Sequence, residues 1–426
     1  MGLTFRISKH SILVRKVTKM KALVVGGGIA GPAAALALLQ AGIEPVVLEA
    51  WPRSDGEAGS WFTLASNGLH ALDLLGARHL VTPIGFPSER NVMMGATGRV
   101  LGTMSLGLPL DDGTVAVTLK RSRLAAALLD EAGRRGIDVR HDSRVVDVAS
   151  RPDGVTVTLE DGSTLEGDLL VGADGVHSMV RRTIDPEAVP ARYVGLTNFG
   201  GITEATPIAG ALPARQWLFV FGSRAFFGAH PTPDGDVVWF VNVPGPAITP
   251  AERAERTPEQ WRDHLAELVA DDAGPAVDLV RSGRLELWAD NTHDLPRVTR
   301  WHRDRMVVIG DAAHAPSPSS GQGAALALED AVVLATCVRD AGTVEEALTA
   351  YDAARRTRVE RIVAAGARSS SSKIPGRAGR AVRDAMMRLV FRFVVTERSS
   401  AWITGHRVRW EPGEQPAEES ALPSEA

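Results

Sequence analysis

One cysteine in 426 residues, Cys337, leaves no partner for an intrachain disulfide and excludes a cysteine-rich zinc site. That usage fits a reducing compartment, so a cytoplasmic location is expected. Long apolar runs are missing as well: none approaches the roughly 20 residues that cross a bilayer, and no transmembrane segment is expected. With a formal net charge of −4 the chain has no overall positive excess, which removes the usual reason to expect a nucleic-acid partner. Neither a Ser-His-Asp arrangement nor a group of metal ligands stands out, so no metal is expected. What is present is ordinary. An apolar content of 44% and a charged content of 23% describe a soluble globular protein, and the length exceeds one typical domain, so two are expected.

Charge is nonetheless uneven. Residues 355–409 hold 14 Arg or Lys against 3 Asp or Glu, and residues 411–426 hold five glutamates and no base. The basic stretch reads as surface helices facing water, with a membrane-surface or acidic-partner role as the alternative. The acidic stretch 411–426 reads as a disordered, solvated tail. At the other end, "MGLTFRISKHSILVRKVTK" is basic but has no long apolar core and no small-residue cleavage site. Residues 1–19 are therefore read as a disordered extension, with an address signal as the alternative.

From Lys21, "KALVVGGGIAGPAAALALLQAGIEPVVLEA" reads as strand, glycine turn, helix and second strand. Pro32 falls in the first turn of that helix, where a missing N–H costs little. A helix is expected from Arg121, and hairpin turns at Asp153-Gly154 and Asp161-Gly162. Between about residues 186 and 299 the texture changes to short strands rich in Phe and Trp, as in "RQWLFVFGSRAFFGAHPTPDGDVVWFVNVP". An α/β pattern resumes at "DRMVVIGDAAHA". The fold expected is α/β: a Rossmann-type domain split over 20–185 and 300–360, an inserted mixed-sheet domain at 186–299, and C-terminal helices at 361–410.

Gly26, Gly28 and Gly31 form G-x-G-x-x-G between a strand and a helix, with Glu49 at the end of the next strand. The first glycine permits a tight turn, the second lets backbone approach a pyrophosphate, and the third lets helix pack on strand. The helix N-terminus offers free N–H groups to phosphate. Glu49 can accept from a ribose hydroxyl. Dinucleotide binding follows.

Two further stretches, "DLLVGADGVHSMVRR" and "VVIGDAAHAPSPSSGQG", complete a set of three. Together the three resemble the fingerprints of the single-component FAD-dependent aromatic hydroxylases, the para-hydroxybenzoate hydroxylase group, in order and spacing over about residues 20 to 360. The resemblance implies a glutathione-reductase-like FAD domain. It implies that Gly26, Gly28 and Gly31 hold the pyrophosphate, Glu49 the ribose, Val145 the adenine through its backbone, and Arg121 the flavin side. Asp174 would lie near the pyrophosphate and the nicotinamide donor, and Asp311 would bind the ribityl chain. Pro318 would stiffen the loop beside the ring, and a helix starting at Gly321–Gly323 would aim N–H groups at the ring's pyrimidine edge. Three positions depart from the family: Ala50 where Arg is common, Ala325 where Asn is frequent, and Gly200 where many relatives have Arg.

The activity so implied is monooxygenation. NAD(P)H, a transient donor, reduces FAD, and O₂ then gives a flavin hydroperoxide that hydroxylates or epoxidises a small aromatic or polycyclic molecule, in natural-product tailoring for example. Substrate-lining candidates on the inserted sheet are Trp217, Phe219, Phe227, Trp239 and Asn242, though strand alternation turns about half of such a set away. His230 is the candidate general base. His314, inside the motif, reads as a loop contact. Other readings remain open: a flavin halogenase or prenyl reductase, or an FAD-binding protein that sequesters a ligand without turnover. A monomer or homodimer is expected. In "RAVRDAMMRLVFRFVV" an apolar stripe of Val382, Met386, Leu389, Val390 and Phe393 is expected to pack on the FAD domain.

Overall fold

A computed structural model describes residues 19–410 apart from 55, 57–58, 296, 371–376 and 394–400. The expected N-terminal extension, save Lys19, and the expected acidic tail lie outside those residues.

Buried valines and leucines in short runs build a six-stranded sheet. Its order is His302–Arg303, Met306–Val308, Leu169–Gly172, Lys21–Val25, Glu44–Leu48, Asp138–Arg140. All pairings are parallel except the His302–Arg303 edge. Both faces are covered, as a parallel sheet requires. Helix Ala30–Gln40 presents Ala33, Ala34, Ala35 and Ala37 at 0% exposure, small side chains that let it lie close to the strands and to helix Gly323–Asp340. Register is what makes the site. Val25 pairs with Leu48 and Gly172, and Gly172 pairs with Val308, so four strands end in one row. The chain leaves that row at Gly26, Glu49, Ala173 and Ile309. Loops at the carboxyl edge of such a sheet are where ligands bind.

A three-stranded meander, Val145–Arg151, Gly154–Leu159 and Thr164–Gly167, carries the expected hairpins, with Gly162 at φ 84 in the second turn. A second, seven-stranded sheet runs Arg284–Asp294, Arg192–Thr203, Val237–Pro244, Phe226–Pro231, Gln216–Phe221, Arg90–Gly95, Val100–Ser105. Its last two strands come from outside 186–299, and Gln216–Phe221 pairs with Arg90–Gly95 in parallel. Helices Pro258–Val269 and Ala276–Ser282 cover one face, closing a core of Phe199, Phe227, Trp239 and Trp261. A small sheet of Trp61–Leu64, Gly85–Pro87 and Val117–Lys120 meets the other face.

Helix Arg377–Phe393 departs from expectation. It packs on the seven-stranded sheet, through Met387 and Phe391 against Met93, Leu101, Phe221 and Phe226, and its predicted apolar stripe faces outward. The buried Arg383 guanidinium fixes that rotation by donating to the Phe221 carbonyl at 3.1 Å.

Candidate active site

At the first turn Gly26 sits at φ 109, and a Cβ there would lie 2.4 Å from the Ala173 carbonyl oxygen. A Cβ on Gly31 would lie 1.9 Å from the Gly26 oxygen. Both are closed to any other residue. Gly28 differs: nothing lies within 4 Å of its Cβ position. The space is open toward the helix N-terminus, the shape a phosphate needs. Glu49 is held beside it, its carboxylate accepting from the N–H groups of Gly27 and, at 2.9 Å, Trp51.

The second motif is chiefly architectural. Asp174 accepts from Ser178 Oγ, from the Met179 N–H at 2.7 Å and from the Val180 N–H at 3.1 Å, so it caps helix Met179–Ile184. Arg181, 2% exposed, donates to the carbonyls of Ala312 at 2.9 Å and Val176 at 2.8 Å, tying this motif to the third. Val145 opens the meander, half-buried.

Asp311 and Arg121 come together across the cleft, 190 residues apart in sequence, with Arg121 donating to Asp311 at 2.9 Å. The loop beyond turns through Pro318–Ser320, passes Gly321 at φ 61, and enters helix Gly323–Asp340. No side chain caps that helix and no acid occupies its first turn. Its leading N–H groups therefore face the cleft with the positive end of the helix dipole. Pro318 is exposed and a Cβ on Gly321 would meet nothing within 4 Å, so this end is open as well.

Beneath the loop lies a group that sequence reasoning missed. Asp330, 0% exposed, accepts from the Gly310 N–H at 2.9 Å, bonds His314 Nε2 at 2.6 Å, and accepts from Arg355 at 2.8 Å. Glu329, also 0% exposed, accepts from Arg355, Arg358 and Asn67. Asn67 donates in turn to Gln322 at 3.0 Å, so both ends of the loop are pinned from below. His314 has the loop contact expected of it.

Opposite stands the seven-stranded sheet. Phe219, Phe240, Asn198 and Asn242 lie half-buried on the side away from helices Pro258–Val269 and Ala276–Ser282, and Asn242 donates to Asn198 at 2.8 Å. Asp290 is the register partner of Asn198. The strand bulges there, with Ala289 held at φ 51, a conformation that bulky L-residues avoid and that re-aims the next side chain. Asp290 is solvent-accessible, and desolvation by the surrounding chain pushes its carboxyl up despite the opposing charges of Arg253, Arg121 and His293.

Of the sequence-derived wall candidates, Phe219 and Asn242 are brought together here. Phe227 and Trp239 point the other way, into the helix-covered core, each 1% exposed. Trp217 is 3% exposed, its Nε1–H donating to Thr63 at 2.9 Å. Phe240 was missed, although period-two alternation from Trp239 puts it on the opposite side. His230 is 0% exposed. Its Nδ1 faces the Pro231 carbonyl at 2.8 Å, so that nitrogen carries the proton and Nε2 accepts from Ser88 Oγ at 2.9 Å. Burial pulls its pKa down to about 4. Both ring nitrogens are engaged inside a sealed cluster, which is the physical reason against a general-base role.

A general base contributes about 10²–10⁴-fold to rate. Here His230→Gln is expected to leave turnover within a few-fold and to lower stability by about 1–3 kcal/mol, the cost of an unsatisfied buried partner. Because folding lowers this group's pKa from 6.5 to about 4, its stability contribution is full above pH 6.5 and is lost as pH falls toward 4. Denaturation midpoints of both proteins across pH 4–7 check this: the variant's should be flatter.

The arrangement has an open phosphate cradle at Gly28, an Asp311–Arg121 pair midway, and an uncapped helix end at Gly323. Those features fit the two ends and the middle of one FAD molecule, and they define a flavoprotein site. Comparison with known proteins agrees. Residues 19–366 match the family model described as FAD binding domain, and the chain belongs to that family. The FAD-dependent urate hydroxylase of Klebsiella pneumoniae is 32% identical over 353 residues, spanning 81% of this chain and 88% of that one. The aurachin C monooxygenase/isomerase of Stigmatella aurantiaca is 30% identical over 354 residues, with 82% and 88% covered. The crystal structure of K. pneumoniae HpxO with FAD and uric acid superposes with a TM-score of 0.75 at 28% identity, covering 87% of this chain and 93% of that chain. The protein is an FAD-dependent monooxygenase.

Proposed function

We propose that the protein draws electrons from NAD(P)H and inserts one atom of O₂ into a neutral aromatic or polycyclic ring held between the Gly323 helix end and the seven-stranded sheet. When bound, FAD supplies the redox and oxygen-transfer chemistry. The chain's own residues do the rest. Gly26, Gly28, Gly31 and Glu49 seat the nucleotide end, Arg121 and Asp311 the middle, and Pro318, Gly321 and Gly323 the ring, with Val145 toward the adenine. Residues 20–185 and 300–360 serve as the cofactor domain and 186–299 as the substrate domain, to whose sheet the first segment lends strands Arg90–Gly95 and Val100–Ser105. A cytoplasmic protein, monomeric or dimeric, fits the single reduced cysteine.

One observation carries the choice of substrate. The wall opposite the ring site is composed of Asn198, Gly200, Phe219, Phe240 and Asn242, with no charged side chain on those strands' cleft side. Of the cations nearby, Arg121 is paired with Asp311, Lys120 with Glu286 at 2.9 Å, and Arg253 and His293 act on Asp290. A Cβ on Gly200 would meet only ordinary contacts, at 3.7 Å and beyond, so the cavity widens where a side chain could have stood. Such a wall receives a flat apolar ring and offers amide groups to its polar edge. An anion finds no partner there, and burying it unpaired is costly.

Oxygen-dependent NADPH consumption, with mass spectrometry of products, tests the reading on matched pairs of polycyclic phenols with and without a carboxylate. The neutral member of each pair should be the better substrate by at least tenfold in kcat/KM. Preference for the carboxylates would sink it. Asn242→Leu and Asp290→Asn should raise KM by about 5–10-fold, the effect of one lost hydrogen bond at about 1–1.4 kcal/mol.

A further inference from the structure

Helix Arg377–Phe393 has two apolar sides, and only one is used. Met387 and Phe391 pack on the sheet. On the other side Val382, Met386, Leu389, Val390 and Phe393 are 67%, 55%, 58%, 40% and 70% exposed. Their i, i+4, i+7, i+8, i+11 spacing makes a single continuous stripe. Among the described residues it is the largest concentration of exposed large apolar side chains.

The charge beside the stripe decides what can cover it. The helix's one acid, Asp384, is engaged by Arg383 at 2.8 Å, while Arg380 and Arg383 turn to the sheet and donate to the Ser223 and Phe221 carbonyls. Arg388 and Arg392 are exposed along one shoulder of the stripe. A second copy docked face to face would bring those shoulders together. The stripe also offers on the order of 500 Å², short of the roughly 800 Å² per partner of a stable interface. An anionic lipid surface meets both features, because acyl chains accept the stripe and headgroups the arginines.

We propose that helix Arg377–Phe393 docks the protein in the plane of an anionic membrane surface. The helix is then about 25 Å of lipid-facing contact. Its used side belongs to the cluster that includes Phe219 and Phe240, so docking sets the aromatic wall about one helix diameter, roughly 10 Å, from the lipid. Under the functional reading above, the ring system would then reach the site from the membrane rather than from water.

Flotation of the FAD-loaded protein with vesicles tests docking independently of turnover. Vesicles of phosphatidylglycerol and phosphatidylcholine should retain at least tenfold more protein than phosphatidylcholine alone, and added salt should weaken retention. Leu389→Glu with Phe393→Glu should abolish binding while the flavin absorbance and circular dichroism stay unchanged. Arg388→Ala and Arg392→Ala should each cost about fivefold, the worth of one basic residue at such a surface. Equal retention by neutral vesicles, or undiminished binding of the double glutamate variant, overturns the proposal. So does a wild-type dimer that the double variant converts to monomer, because the stripe is then a self-contact.

Discussion

Gly31→Ala is expected to yield a protein that no longer retains FAD. The added methyl would sit 1.9 Å from the Gly26 carbonyl oxygen, so helix Ala30–Gln40 must move off the strand Lys21–Val25. Overpacking of this kind costs about 3 kcal/mol, and if it falls on the bound state the affinity drops about 100-fold. Gly28→Ala isolates the cause. Apart from its chain neighbours nothing lies within 4 Å of its Cβ position, so the apoprotein should unfold at the wild-type temperature. The methyl would instead occupy the path by which phosphate approaches the backbone. Flavin titration of the two apoproteins, with unfolding followed in parallel, separates them. Gly31→Ala should lose both stability and affinity, and Gly28→Ala affinity alone. Wild-type FAD affinity in Gly28→Ala would move the pyrophosphate elsewhere.

The contrast between these glycines also marks what the sequence could convey. The G-x-G-x-x-G turn is local, and a strand before it and a helix after it suffice to read its purpose. Convergence of three distant motifs is legible for a related reason: each follows a buried parallel strand, and parallel strands in register end together. The substrate wall is different. Alternation divides Trp239, Phe240, Val241 and Asn242 into two sets, but nothing local says which set meets helices Pro258–Val269 and Ala276–Ser282. Hence the sequence offers Trp239 and Phe227 as lining residues and passes over Phe240. Helix Arg377–Phe393 shows the same limit more sharply. Its wider apolar stripe was expected inward, yet Met387, Phe391 and the Arg383 bond to the Phe221 carbonyl set the rotation. The polar cluster under the ring loop was invisible because Asn67 and Glu329 stand 262 residues apart.

That cluster gives the second large effect. Arg355→Met is expected to destabilise the protein by about 3–5 kcal/mol, the cost of removing one partner from a buried ionic group. Arg355 is 1% exposed and serves Glu329 at 2.6 Å and Asp330 at 2.8 Å. Without it Glu329 keeps Arg358 and Asp330 keeps His314 and the Gly310 N–H, and a carboxylate fully removed from water is left under-compensated. Burial alone would raise both carboxyls, yet Arg355 and Arg358 at Glu329, and His314 and Arg355 at Asp330, hold each down to about 2. The unfolded values are 4.5 and 3.8, so folding lowers both pKa values and the stabilisation is complete above about pH 4.5. It is lost as pH falls from there through about 2. The variant's carboxyls should titrate closer to their unfolded values, so its denaturation midpoint should start lower and fall less steeply across that window. Because Asp330 also holds Gly310 and His314, the loop carrying Asp311 should loosen, and bound flavin should become more accessible to a collisional quencher. Midpoints that coincide with wild type at pH 7 would mean that the remaining partners close the gap, and that Arg355 does not pin the ring loop.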